Sequence, residues 1–428
     1  MNSEINLKSI TKKGNRVVYD FCYSENLREY FTPTREFFIE YNGVNIDSVP
    51  DSILVIPFLC NVLPVVWLLD VTMHAAEIDK NFYESIPEFK NGYVNMYPML
   101  NFAGKIIADK IVDNNKEKEE RTSGKKLMFF SGGVDAFNTL ISHSDEKPIL
   151  MTLWGSDVFF DDIKGWNNVK NHVIKTAEQF SLEYKFIKSN FRKFLNEGSL
   201  TELVLEKAKD GWWHGFQHGI GLIGHAAPIA FAYNSKIVYI ASTFTAKDAG
   251  KITCASDPTI DNYVKWANTN VIHDGYEFTR QDKIVNICNF VQKHQNIQIK
   301  LHVCWQSSGG QNCNQCEKCY RTIMGILAAG YDPNDYGLFY SKSHNNKIKD
   351  AVLYKVEIKA VRWQYIQEQF KKNPEVFIKH PELKWITKID FEKINDNPLR
   401  CVWDLSKNIM NLAKRIVRKI LRVFGLRR

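Results

Sequence analysis

Residues 125–137 read KKLMFFSGGVDAF. The apolar run Leu127–Phe130 has strand length, and it ends abruptly in Ser131-Gly132-Gly133. From Asp135 the spacing of Phe137, Leu140 and Ile141 in DAFNTLISH changes to the helical period. Strand, small-residue turn and helix in that order form the opening half of a βαβ unit. Two readings of the turn follow. It is either a tight turn with an acidic helix cap, or a cradle in which backbone N–H groups and the helix N-terminus converge on an anion. In the second reading Asp135 would repel phosphate unless Mg²⁺ lies between them, which points to a metal-bound nucleotide.

Working outward, strand-like and helix-like segments alternate. PILMTLW (148–154), YKFIKSN (184–190), KIVYIAST (236–243) and IQIKLHVCW (297–305) read as strands. VKNHVIKTAEQFSLEY (169–184), APIAFAYN (227–234) and IVNICNFVQKH (284–294) read as helices. The expectation is an α/β fold, a doubly wound and mostly parallel sheet with helices on both faces. Ligands in such folds bind beyond the carboxyl ends of the strands, where SGGVD, WGSD and STFT all fall.

With 428 residues and 44% hydrophobic content, the chain can fill more than one core. The charged stretch DNNKEKEERTSGKK, 113–126, reads as a linker. It separates an N-terminal α+β domain (1–112) from a nucleotide-binding domain (127–345), followed by an extension (346–400) and a tail (401–428). The N-terminal MNSEINLKSITKKGNRVVYDF lacks the apolar segment of a secretory leader, so a cytoplasmic protein is expected. The apolar run Ile53–Leu69 is interrupted by Pro57, Asn61 and Pro64, and reads as a buried strand–turn–helix, not a membrane span.

Nine cysteines are present, four of them clustered as Cys304-x8-Cys313-x2-Cys316-x2-Cys319. This spacing, with Gly309 and Gly310 letting the loop fold back, suits a closed tetrahedral four-cysteine zinc site. An iron–sulfur centre is the alternative, less favoured because no Cys-Pro follows. With four protein ligands the site has no open position, so its role is structural. Cys254 and Cys288 have no evident partner, which speaks against a cysteine sulfur relay.

Here the sequence resembles a known family. A strand followed by SGGVD is similar to the PP-loop, SGG-x-D-S, of the N-type ATP pyrophosphatases, the adenine nucleotide alpha hydrolase-like fold. Joined to a late four-cysteine loop about 170 residues on, it resembles the 7-cyano-7-deazaguanine synthase family, over roughly residues 125–330. The resemblance implies that ATP and Mg²⁺ bind at Ser131, Gly132, Gly133, Val134 and Asp135, with Zn²⁺ on the four cysteines. It implies adenylation of a carboxyl or carbonyl oxygen on a small molecule, pyrophosphate release, and displacement of AMP by ammonia or an amine. The last Ser of the pattern is Ala136 here, so one phosphate-site hydroxyl is missing. A nucleotide sensor without catalysis, or an enzyme modifying a nucleobase, would also carry such a loop.

Other residues are weighed individually. Trp154, Ser156 and Asp157 close the second strand and either meet nucleotide or form an ordinary turn. Arg280 and Lys283 either supply cations to the phosphates or belong to an exposed helix start capped by Thr279. His214 and His218 stand at i, i+4, but Gly215 occupies the Glu position of a metalloprotease helix, so that reading is rejected. Packed histidines, His225 included, are the simpler reading.

The tail carries eight basic residues between Asp404 and Arg428 against Asp404 alone, seven of the eight net positive charges of the chain. The remainder is close to neutral and offers no obvious nucleic-acid surface. Leu405, Ile409, Leu412, Ile416, Ile420 and Val423 form one apolar stripe under that basic face. Such a helix suits the anionic inner face of a membrane, a protein partner, or RNA.

Overall fold

The computed structural model describes residues 3–33, 36–115, 124–304 and 309–396. The basic tail 401–428 therefore lies outside the described residues. So do residues 116–123 of the expected linker and 305–308.

Eleven strands form one α/β sheet: β1 (Glu4–Lys13), β2 (Arg16–Tyr23), β3 (Phe37–Tyr41), β4 (Thr72–Asp79), β5 (Lys105–Val112), β6 (Leu127–Phe129), β7 (Ile149–Trp154), β8 (Tyr184–Ser189), β9 (Ile237–Ala241), β10 (Lys265–Trp266) and β11 (Thr269–Asp274). Their spatial order is β10-β11-β9-β6-β7-β8-β3-β2-β1-β4-β5. The run β11-β9-β6-β7-β8 is parallel throughout. Leu127, Met128 and Ile149 to Met151 are fully buried, as parallel strands covered on both faces require.

The sheet passes through the expected domain boundary. β3, from the first 112 residues, pairs antiparallel with β8 through Ile39–Ser189 and Tyr41–Ile187. Between β3 and β5 the chain forms the helices α1 (Ile56–Leu68) and α2 (Lys80–Met96). Asp79, at the end of β4, caps α2 by accepting from the Phe82 N–H, and also accepts from the Ala267 N–H, both at 2.9 Å. Among the described residues, those up to 283 together with 309–311 make one compact unit, and 284–304 with 312–396 make a second.

Three segments differ from expectation for identifiable reasons. The run Ile53–Leu69 is helical, chiefly α1, with every residue from Ile56 to Trp67 buried. Pro57 lies in the first turn, where its missing N–H costs nothing, and Pro64 is carried inside the helix. At about 20 Å the helix is too short for a bilayer. No helix among the described residues is long and apolar enough to cross one.

The described part of IQIKLHVCW, 297–304, is not a strand. Ile299, Leu301 and Val303 alternate inward, yet their backbone partners are the Tyr336 carbonyl and the Asn312 side chain. Among the strands that the sequence reading does not name is β11, whose sequence TNVIHD hides behind polar residues although Thr269, Val271 and His273 face inward.

Candidate functional site

The central strand β6 runs into Ser131-Gly132-Gly133 and then α3 (Val134–Ser142), as the strand–turn–helix reading requires. Gly132 sits at φ +74°, a left-handed conformation that glycine adopts without penalty. Gly133 is the N-cap, and the Phe137 N–H makes the first helical bond back to its carbonyl. The N–H groups of Val134, Asp135 and Ala136 precede that bond and have no acceptor within the helix. Ser131 is exposed, Val134 is buried, and Ala136 is buried in the first turn.

Arg280 and Lys283 converge on Asp135. Arg280 Nη1 donates to Asp135 Oδ2 at 2.6 Å, and Lys283 Nζ lies 3.5 Å from Oδ1. Lys283 also donates to the Ser242 carbonyl, just past β9, at 2.6 Å. The helix α4 (Arg280–Lys293) delivers both cations on one face, because i and i+3 share a side. Its start is fixed by a reciprocal cap in which Asp282 accepts from the Thr279 N–H and Thr279 Oγ1 accepts from the Asp282 N–H. The Thr279 cap and the two cations paired with Asp135 thus belong to one segment. Lys283 is almost fully buried, and burial lowers its pKa while Asp135 draws it back up and Arg280 lowers it further. One carboxylate facing two cations leaves a net positive charge beside the N–H groups of the first helical turn, an arrangement suited to a polyanion.

The second strand end is more fully committed to structure. The Trp154 ring stacks on Trp166 at 5.0 Å and its Nε1 donates to the Phe159 carbonyl. The Ser156 carbonyl accepts from Arg192, and Asp157 is exposed. Gly155, at φ +106°, is required because a Cβ there would lie 1.9 Å from the Ser189 carbonyl oxygen.

A further constellation lies on the segment Asp210–His218, of which the sequence reading weighs His214 and His218 but not Asp210. Trp213–Gln217 is a π-helical turn, an irregularity frequent at functional positions. Both oxygens of Asp210 receive His214 Nδ1, at 3.0 and 2.9 Å. Asp210 accepts in addition from Thr253 Oγ1, the Tyr97 hydroxyl and the Gly211 N–H. Burial raises the Asp210 pKa, but the His214 contact and the other donors outweigh it and hold the carboxyl below its ordinary value. The signal available in the sequence was the Asp210-x3-His214 spacing, one helical turn. Gly215 has a steric reason to be there, since a Cβ would sit 2.6 Å from the Tyr97 hydroxyl.

His225 is a packed core histidine, with its ring bonded to the Gly221 carbonyl and Ser189 Oγ and its pKa brought down to about 4 by burial. His214 is different, its side chain 44% exposed. Cys254 lies 3.8 Å from His218 Nδ1, a partner the sequence did not reveal, but burial pushes its thiol up to about 12. It stays protonated and is a poor sulfur nucleophile.

In the second unit, Cys304, Cys313, Cys316 and Cys319 bring their sulfurs within 4.8 Å of one another. The Cys304–Cys316 and Cys313–Cys319 separations are both 3.9 Å. A tetrahedral ion with metal–sulfur bonds of about 2.3 Å sets its sulfurs about 3.8 Å apart, so four thiolates here could hold a metal such as zinc. Cys316 caps α5 (Glu317–Ala328). Asn312 braces the loop, accepting from the Val303 N–H and donating to the carbonyls of Leu301 and Gly337. No family model, curated protein or solved structure matches the chain.

Proposed function

We propose that this protein is an ATP-dependent adenylating enzyme of the PP-loop type. In this reading it activates a carboxyl or carbonyl oxygen of a small molecule with release of pyrophosphate, then passes the activated group to a nitrogen nucleophile. The observation that carries the reading is the convergence of Arg280 and Lys283 on Asp135 in the first turn after a glycine turn, at the end of a central parallel strand.

In this reading the N–H groups of residues 133–136 and the cations Arg280 and Lys283 hold the phosphates. The two side chains neutralise charge that grows as the α-phosphorus is attacked and pyrophosphate departs. Asp135 keeps both cations oriented. A single carboxylate fits Mg²⁺, which takes one or two protein carboxylates with phosphate and water oxygens; when bound it would neutralise phosphate charge. The four-cysteine loop would hold zinc as a structural ion. Ala136 leaves the backbone cradle intact and removes one hydroxyl from the family pattern.

Pyrophosphate and AMP are the expected products when the protein is supplied with ATP, magnesium, 7-carboxy-7-deazaguanine or other heteroaromatic carboxylates, and ammonium. Lys283→Met and Arg280→Gln are each expected to lower pyrophosphate release about 10²-fold. ATP binding with no pyrophosphate from any carboxylate would favour a nucleotide sensor. ADP and phosphate as products would overturn the adenylation reading.

A further inference from the structure

The segment Asp210–His218 crosses the end of the sheet where the glycine turn lies. On one side Trp213 carries the Arg192 guanidinium over its ring at 4.1 Å, and Arg192 donates to the carbonyl of Ser156, which follows β7. On the other side the His214 ring meets Phe244, which follows β9, edge-on at 6.0 Å. The strand between β7 and β9 is β6, from whose end Ser131-Gly132-Gly133 departs. The segment thus spans the loops flanking the glycine turn and places His214 at the same end of the sheet as Asp135, Arg280 and Lys283.

Arg192 is bound by both oxygens of Glu197, at 2.7 and 2.9 Å, so its charge is already matched and its role is to brace. His214 is not spent in this way. Ionised Asp210 only accepts hydrogen bonds, so the proton of neutral His214 resides on Nδ1 and the lone pair on Nε2. Four donors hold Asp210: His214, Thr253, Tyr97 and Gly211. The imidazole is therefore fixed in one tautomer by a carboxylate that is itself fixed, as a general base requires.

We infer that His214 is the base that takes the proton of the nitrogen nucleophile in the second half-reaction, with Asp210 as its positioning residue. This rests on the adenylation reading above. The nitrogen lone pair attacks the acyl carbon of the adenylated carboxylate and a C–N bond forms. The C–O bond to AMP breaks, AMP leaves with the electron pair, and the proton lost by nitrogen moves to His214 Nε2. The products are the amide, AMP and a protonated imidazole that returns its proton to solvent.

The test separates the two half-reactions in the full-length protein. ATP–pyrophosphate exchange with 7-carboxy-7-deazaguanine reports adenylation, and product formed with ammonium chloride reports transfer. His214→Asn keeps a donor facing Asp210 and removes the base. It is expected to leave exchange within about two-fold and to lower product formation by about 10²-fold or more. Asp210→Asn is expected to do the same through loss of the tautomer. Hydroxylamine also loses a proton as it attacks, but its attacked nitrogen is a stronger acid than that of ammonia and yields the proton to water more readily, so its transfer is expected to fall clearly less than ammonia transfer in both variants. A merely structural role would depress exchange, ammonia transfer and hydroxylamine transfer together, and would overturn the assignment, as would unchanged ammonia transfer in His214→Asn. Absence of exchange in the unaltered protein would overturn the adenylation reading itself, and this inference with it.

Discussion

Arg280 Nη1 lies 2.6 Å from Asp135 Oδ2 although 145 residues separate them in the chain. The pairing closes the carboxyl end of the sheet, because Asp135 follows β6 and Arg280 follows β11, two strands away. Lys283, one helical turn on, completes the group with a side chain only 2% exposed. Each cation is individually costly to bury, and the shared carboxylate offsets that cost.

Removing the carboxylate should therefore destabilise the fold as well as the site. Asp135→Asn leaves Lys283 beside a like charge, with the Ser242 carbonyl as its remaining acceptor of those described above, and is expected to cost about 3 kcal/mol in denaturant unfolding. Adding Lys283→Met removes the stranded charge, so the double variant should lose less than the sum of the singles. Additive losses would show that the two groups are not coupled.

Much of this was legible because period and punctuation agree locally. LMFF-SGG-VDAFNTLIS gives strand, turn and helix in sixteen residues, and Thr279 with Asp282 marks a helix start. What stayed hidden depends on tertiary partners. The alternation of Ile299, Leu301 and Val303 looks like a strand but meets a loop. The prolines of α1 look like breaks, yet one occupies a first turn and the surrounding core carries the other. His214 stayed hidden because a pair of histidines one turn apart points to a Glu between them, whereas its partner stands four residues before it.

The cysteine cluster predicts metal content. About one zinc ion per chain is expected by elemental analysis, without the visible absorption of an iron–sulfur centre. Stripping the metal with a chelator, or substituting Cys313→Ser with Cys316→Ser, should make the loop around residues 309–320 sensitive to protease. Binding of a structural ion to four thiolates is folding energy, so a metal-free chain that keeps the same protection would show that the sulfurs hold nothing.

His225 predicts an acid limit. It is neutral in the fold, with a pKa lowered to about 4 by burial, and titrates near 6.5 when unfolded. Between those values the unfolded chain binds a proton that the folded chain does not. The histidine's contribution is intact above about pH 6.5 and is lost as pH falls towards 4, by about 3 kcal/mol in all. Unfolding measured from pH 7.5 to 4.5 should show this slope, and His225→Gln should flatten it. Equal slopes would place the titration elsewhere.

Asn61 predicts how the N-terminal elements support the candidate base. It lies on α1, fully buried, and its Oδ1 accepts from Gln217 Nε2 at 2.8 Å. Gln217 in turn accepts from Trp212 Nε1 at 3.0 Å, and Tyr93 of α2 donates to the Phe216 carbonyl at 2.9 Å. These bonds hold both flanks of the π-helical turn that carries His214. Asn61→Ala leaves one donor of Gln217 without its acceptor and is expected to cost about 2 kcal/mol of stability. The bonds of Asn61 run to Pro57, Gln217 and Gly221, so in the adenylation reading proposed above ATP affinity should stay within about two-fold while nitrogen transfer falls, since small displacements of a base weaken proton transfer steeply. Isothermal titration with ATP beside the transfer assay checks both. Equal loss of binding and transfer would show that the N-terminal elements support the whole end of the sheet rather than this turn.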